Sequence, residues 1–186
     1  MEALLPVFMA VLLAECDGKV QRNADALALH FRRTQAIFAA LCTSTLVSLS
    51  IAAIGGAFVA PLITYQARTL LLGVALLVTG LTMLGAVKAV KRPSTDSSYL
   101  SSLWRFATAQ FGDNSQFLVF AIAARSDQAV LAGIGGIAAT LVAALPPLLL
   151  PGAWRTAAPF VPIRRAISAG FILFGLWVAL GALRLI

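Results

Sequence analysis

Gln110-Phe111-Gly112-Asp113-Asn114-Ser115-Gln116 is a polar run in the middle of an apolar segment. At a distance of 95 positions toward the N-terminus, Glu15-Cys16-Asp17-Gly18-Lys19-Val20-Gln21 interrupts another apolar segment in the same way. A carboxylate near a bilayer centre costs about 2.5–3.5 kcal/mol on insertion scales, so it is rarely kept there without use. Two such clusters at corresponding points predict a duplicated chain with a site where the halves meet.

The surroundings of both runs establish the solvent. The chain has 186 residues, of which 60% are hydrophobic and 11% charged, with mean hydropathy +0.93. A soluble domain carries about 25% charge. The composition therefore predicts an integral membrane protein with no room for a soluble domain. About 20 apolar residues are needed to cross the hydrocarbon. Six segments meet that length: 4–28, 36–59, 69–90, 99–124, 129–150 and 165–185. Pro61 follows the second, Pro146, Pro147 and Pro151 close the fifth, and Pro159 and Pro162 fall before the sixth. Proline suits helix ends because it lacks the N–H.

The polar stretch 91–98 divides the chain into three-helix halves, 1–90 and 99–186. Arg33-Thr34-Gln35-Ala36-Ile37 parallels Ser126-Asp127-Gln128-Ala129-Val130, and Thr45-Leu46-Val47 parallels Thr140-Leu141-Val142. Arg68 and Gly73 parallel Arg165 and Gly170. Three crossings is an odd number, so the second half enters from the opposite face. The expected fold is all-α and polytopic, with six transmembrane helices as two inverted three-helix repeats.

The net charge of +7 comes mainly from short loops. Arg22, Arg32, Arg33, Lys88, Lys91, Arg92, Arg155, Arg164 and Arg165 fall on one side, against Arg68, Arg125 and Arg184 on the other. That bias places the first side, with the 91–98 linker, in the cytoplasm and both termini outside. A bacterial plasma membrane is the expected location. Basic residues scattered in this way make no phosphate-binding face, so nucleic acid is not an expected partner. Cys16 and Cys42 read as small apolar residues, and His30 as an interfacial histidine. The glycines of the spans read as close-packing positions, and so do Ser44, Thr45, Ser48 and Ser50. No zinc motif, nucleophile elbow or P-loop is present, so neither an enzyme nor an ATP-driven pump is expected.

The clusters carry the chemistry of hard cations, which take oxygen ligands. On continuous helices, Gln110, Asp113 and Asn114 would share a face, as would Glu15, Gly18 and Lys19, with Asp17 nearly opposite Glu15. Gly18 could loosen the helix and relax that constraint. Glu15 and Asp113 would supply two negative charges, and Gln110, Asn114 and Ser115 neutral oxygens.

With these residues the chain resembles the Gdt-type manganese/calcium cation:proton exchangers. Their hallmark, Glu-x-Gly-Asp-Lys-Ser/Thr, stands once in each three-helix repeat. The resemblance implies that the two motifs meet near the membrane centre and bind the transported ion. Its acidic positions fall on Glu15, Gly18, Gln110 and Asp113, and its hydroxyl on Ser115. The first motif here reads Glu15-Cys16-Asp17-Gly18-Lys19-Val20, with Gly and Asp exchanged. The second reads Gln110-Phe111-Gly112-Asp113-Asn114-Ser115, with Gln for Glu and Asn for Lys.

The expected activity is secondary transport, exchanging manganese or calcium for protons. Glu15, Asp17, Gln110, Asp113, Asn114 and Ser115 are the candidate ligands, with no resident cofactor. The alternative is a non-transporting membrane subunit whose altered motifs pack against or regulate a partner. Homo- and hetero-oligomers both stay open.

Overall fold

The computed structural model describes residues 3–31, 34–85, 99–126, 128–153 and 160–184. The 91–98 linker lies outside them, as do Arg32, Arg33, Lys88, Arg155, Asp127 and Pro159. Among the described residues the regular elements are all helices, with no strand: α1 Leu4–Ala14, α2 Lys19–His30, α3 Thr34–Val59, α4 Tyr65–Leu84, α5 Tyr99–Gln110, α6 Asn114–Arg125, α7 Ala129–Leu149 and α8 Phe160–Ala182. A short 3-10 turn, Ala60–Leu62, follows α3.

Four of the helices are long and apolar enough to cross a bilayer: Thr34–Leu62, Tyr65–Leu84, Ala129–Leu149 and Val161–Ala182. At about 1.5 Å rise per residue, twenty residues cover roughly the 30 Å hydrocarbon core. The other four form two pairs. α1 and α2 are separated by residues 15–18, and α5 and α6 by residues 111–113. The first and fourth expected spans are thus each two short helices meeting at a polar cluster.

Pro146 and Pro147 stand at the closing end of the fifth span as expected, whereas Pro162 does not stand in the loop before the sixth. Pro146 and Pro147 lie inside α7, and Pro162 lies in the first turn of α8. The latter is tolerated because first-turn N–H groups have no helical acceptor. Pro147 lacks the N–H that Ala143 C=O would otherwise accept, so that carbonyl needs another donor.

Packing crosses between the halves. α4 lies along α8 and α3 along α7, while α1 packs on α7 as α5 packs on α3. The contact of α4 with α8 depends on missing side chains. A methyl on Gly80 would stand 2.9 Å from Ser168 O and 3.0 Å from Ile172 N. One on Gly175 would stand 3.0 Å from Gly73 O and 2.8 Å from Leu77 N. Each member of the second contact matches a member of the first at an offset of 95 positions. The third helices thus align as Gly80 with Gly175, in the register of the polar clusters. The Gly73–Gly170 pairing expected from sequence is two residues out. The apolar core between the halves includes Val7, Val11, Leu49, Leu72, Leu118, Val119 and Phe171. It holds the two interruptions against α3 and α7.

Candidate functional site

The two interruptions share one backbone design. Asp17 has φ 56° and Gly112 φ 69°, both left-handed. This conformation is open to glycine and, among other residues, most readily to Asn and Asp. Gly18 N–H donates to Glu15 O at 2.8 Å, and Asp113 N–H donates to Gln110 O at 3.0 Å. Asp17 N–H donates to Gln21 Oε1 at 2.9 Å, and Gly112 N–H to Gln116 Oε1 at 2.9 Å. Gly18 and Asp113 then stand at the N-caps of α2 and α6, with extended backbone. All these pairs are again 95 positions apart.

This geometry explains the Gly–Asp exchange in the first motif. In the second motif glycine takes the left-handed position and aspartate the cap. In the first, aspartate takes the left-handed position and glycine the cap. The backbone is unchanged, but the carboxylate is redirected. Asp17 turns to Arg22, whose Nε donates to Asp17 Oδ1 at 3.0 Å and whose second nitrogen also pairs with Asp17 Oδ2. Both side chains are buried. Gly18 lies against Glu15: a Cβ there would stand 2.5 Å from Glu15 Oε2.

Glu15 is 1% exposed, Gln110 4% and Ser115 4%. With Asp113, Leu49, Gln116 and Thr140 they line one cavity of about 10 Å³, roughly the space one water-sized sphere needs. Ser115 Oγ donates to Glu15 Oε1 and lies 3.5 Å from Asp113 Oδ2, linking the carboxylates of the two halves. Gln110 Nε2 donates to Thr45 Oγ1 at 2.9 Å. Lys19 Nζ reaches Asp113 Oδ1 at 3.1 Å from an exposed position.

Three buried oxygens of the cavity residues have no hydrogen-bond partner among the described residues: Glu15 Oε2, Gln110 Oε1 and Thr140 Oγ1. Buried polar atoms are ordinarily paired, and exceptions call for an occupant or a function. Two of these atoms are acceptors with unused lone pairs, and the third is a hydroxyl with both lone pairs unused. Such a set suits a hard cation. Among the described residues no three His, Cys, Asp or Glu side chains converge, so such an ion would depend on neutral oxygens as well as Glu15 and Asp113.

The structure brings together Glu15, Gln110, Asp113 and Ser115. It turns Asp17 to Arg22, and it places Asn114 Oδ1 as acceptor for Thr82 Oγ1 at 2.9 Å. The shared face drawn for Gln110, Asp113 and Asn114 assumed a continuous helix, and the interruption at 111–113 removes that premise. Thr140 was missed as a site residue. Its repeat partner Thr45 read as a packing residue in the sequence; only with Thr45 seen to meet Gln110, the counterpart of Glu15, does the repeat place Thr140 near Glu15.

Asp17→Asn tests the separation of Asp17 from the cavity. Breaking one partner of a buried ion pair costs about 3–5 kcal/mol. The expected result is a marked fall in thermal midpoint and folded yield, with ion binding per folded molecule retained. Loss of ion affinity at unchanged stability would instead make Asp17 a ligand.

Residues 98–185 match the sequence model of a family described as GDT1, divalent cation/proton antiporter GDT1. No curated protein matches the chain, and no solved structure matches it.

Proposed function

We propose, from the match of residues 98–185 to the GDT1 divalent cation/proton antiporter family, that the chain exchanges manganese or calcium for protons through the cavity at Glu15 and Asp113. The observation that carries this reading is the set of unpartnered buried oxygens on Glu15, Gln110 and Thr140 around one cavity. Asp113 and Ser115 would complete the ligand set. A carboxylate can hold a cation or a proton but not both, and that exclusion couples the two flows. Lys19 occupies Asp113, so an arriving cation has to displace the ammonium from that carboxylate.

In this reading α1 with α2 and α5 with α6 are two interrupted crossings, which gives six in all as two inverted three-helix repeats. The support is the constant offset of 95 in the interruptions and in the α4–α8 contact. Interrupted helices with their sites at the repeat interface are a recurrent transporter arrangement. Both termini then face outward, because the loops after α2 and α7 lie on the side richer in Arg and Lys. A chain with Cys16 and Cys42 replaced and Thr64→Cys introduced should react with an impermeant maleimide from outside intact cells, whereas Ala153→Cys should not. The reverse pattern would invert the topology.

The deciding experiment is flux in proteoliposomes with an imposed pH gradient. Manganese or calcium movement should follow the gradient, with protons moving the opposite way, and should stop when an ionophore collapses it. Absence of both flux and binding for either cation would defeat the transport reading and favour a non-transporting subunit.

A further inference from the structure

Gln21 and Gln116 stand one residue beyond their motifs, and each uses both ends of its amide. The Oε1 of each accepts from the left-handed residue of its own interruption, at 2.9 Å in both cases. The Nε2 of each crosses to the other half: Gln21 donates to Ala143 O on α7 at 2.8 Å, and Gln116 to Ser48 O on α3 at 3.4 Å. Ser48 and Ala143 are themselves 95 positions apart. The difference in length has a covalent cause. Ala143 C=O has no helical donor, because the residue four positions on is Pro147, which lacks an N–H. Ser48 C=O faces Ala52 in the same place and keeps its helical bond, so Gln116 only shares it. Gln21 therefore donates to an α7 carbonyl that lacks its usual helical donor, whereas Gln116 is an additional donor to a carbonyl that keeps one.

We infer that Gln21, acting through the carbonyl freed by Pro147, is the positioning residue that sets Glu15 against Thr140 in the ion site. One amide fixes the interruption that carries Glu15 and anchors it to α7. Thr140 lies three residues before Ala143 on α7, one turn away on the same face. Lys lacks the acceptor, Glu lacks the donor, and Met lacks both. The Gln21–Pro147 pair therefore tunes ion affinity from outside the cavity lining. This role rests on the proposed exchange at Glu15, but the tether itself can be read without transport.

The test is a double-mutant cycle in the full chain. Gln21→Met removes both amide bonds. Pro147→Ala supplies Ala143 O with a helical donor and leaves Gln21 in place. Each single variant should raise KM for manganese about tenfold in proteoliposomes, with maximal rate changed less than about threefold. The double variant should be no worse than Gln21→Met alone, because both act on one bond. In parallel, the alkylation rate of Cys16 in detergent, with Cys42 replaced, reports the interruption directly. It should rise severalfold in either single variant and no further in the double. Additive effects in the cycle, or unchanged Cys16 rates in both single variants, would overturn the inference. If wild type moves no cation, the transport reading fails, and the Cys16 cycle still decides the tether. If Gln21→Met does not fold, Pro147→Ala alone must give the KM rise and the faster alkylation, and its failure to do so overturns the proposal.

Discussion

Glu15→Gln is expected to reduce manganese or calcium transport to background, and Asp113→Asn to do nearly the same. Glu15 is fully buried, and one of its carboxylate oxygens has no partner. Its other oxygen accepts from Ser115, which also approaches Asp113. The amide keeps the size of the side chain but removes the negative charge and the proton-accepting oxygen. Interactions of charged groups with hydrogen-bond partners are worth about 1.5–3 kcal/mol, or roughly 10–100-fold in affinity. Loss of a formal charge from a buried site adds to this. The two variants should differ in one respect. Asp113→Asn frees Lys19 from its partner, whereas Glu15→Gln leaves that pair in place. Asp113→Asn should therefore lose affinity in a manner less sensitive to salt. The measurement is flux and equilibrium binding in matched proteoliposomes. Transport by Glu15→Gln at wild-type rate would remove Glu15 from the site.

Gln110→Glu is expected to act in the opposite direction. The amide now supplies an unpartnered Oε1 to the cavity and uses its Nε2 on Thr45 Oγ1. A carboxylate keeps the acceptor, and Thr45 can reverse the hydrogen bond because a hydroxyl both donates and accepts. At an effective dielectric near 20, two unit charges 4 Å apart interact by about 4 kcal/mol, and for a divalent ion the gain is larger. Desolvation of the new carboxylate offsets much of this. A net gain of roughly tenfold in divalent affinity is expected, corresponding to about 1.4 kcal/mol. The added carboxylate can also take up a proton, so flux should depend more steeply on pH and exchange more protons per ion. Flux against external pH, matched for expression, gives both quantities. An unchanged profile would mean that Gln110 lies outside the ion path.

The sequence by itself determined the solvent, the helical class and the relation between the polar clusters. An 11% charge content and long apolar runs permit few structures besides membrane helices, because unpaired backbone groups are intolerable in hydrocarbon. Glu15, Gln110, Asp113 and Ser115 were legible as a group because polar residues in apolar spans are few, and they recur at one offset. The tertiary structure decided where each side chain points. Asp17 and Asn114 belong to the same motifs, but a left-handed residue at 17 and at 112 breaks the helix. Angular reasoning on a continuous helix then fails, and Asp17 goes to Arg22 while Asn114 goes to Thr82. Thr140 reaches the cavity of Glu15, and Gln21 reaches Ala143, through packing that spans more than a hundred residues, and no local pattern encodes such contacts. Pro147 shows the same limit. As a residue type it marked a helix end, but α7 continues past it and the missing N–H leaves a carbonyl for Gln21 to fill. Local chemistry fixes which groups need partners in a bilayer, and only the packing of one half on the other decides which partners they receive.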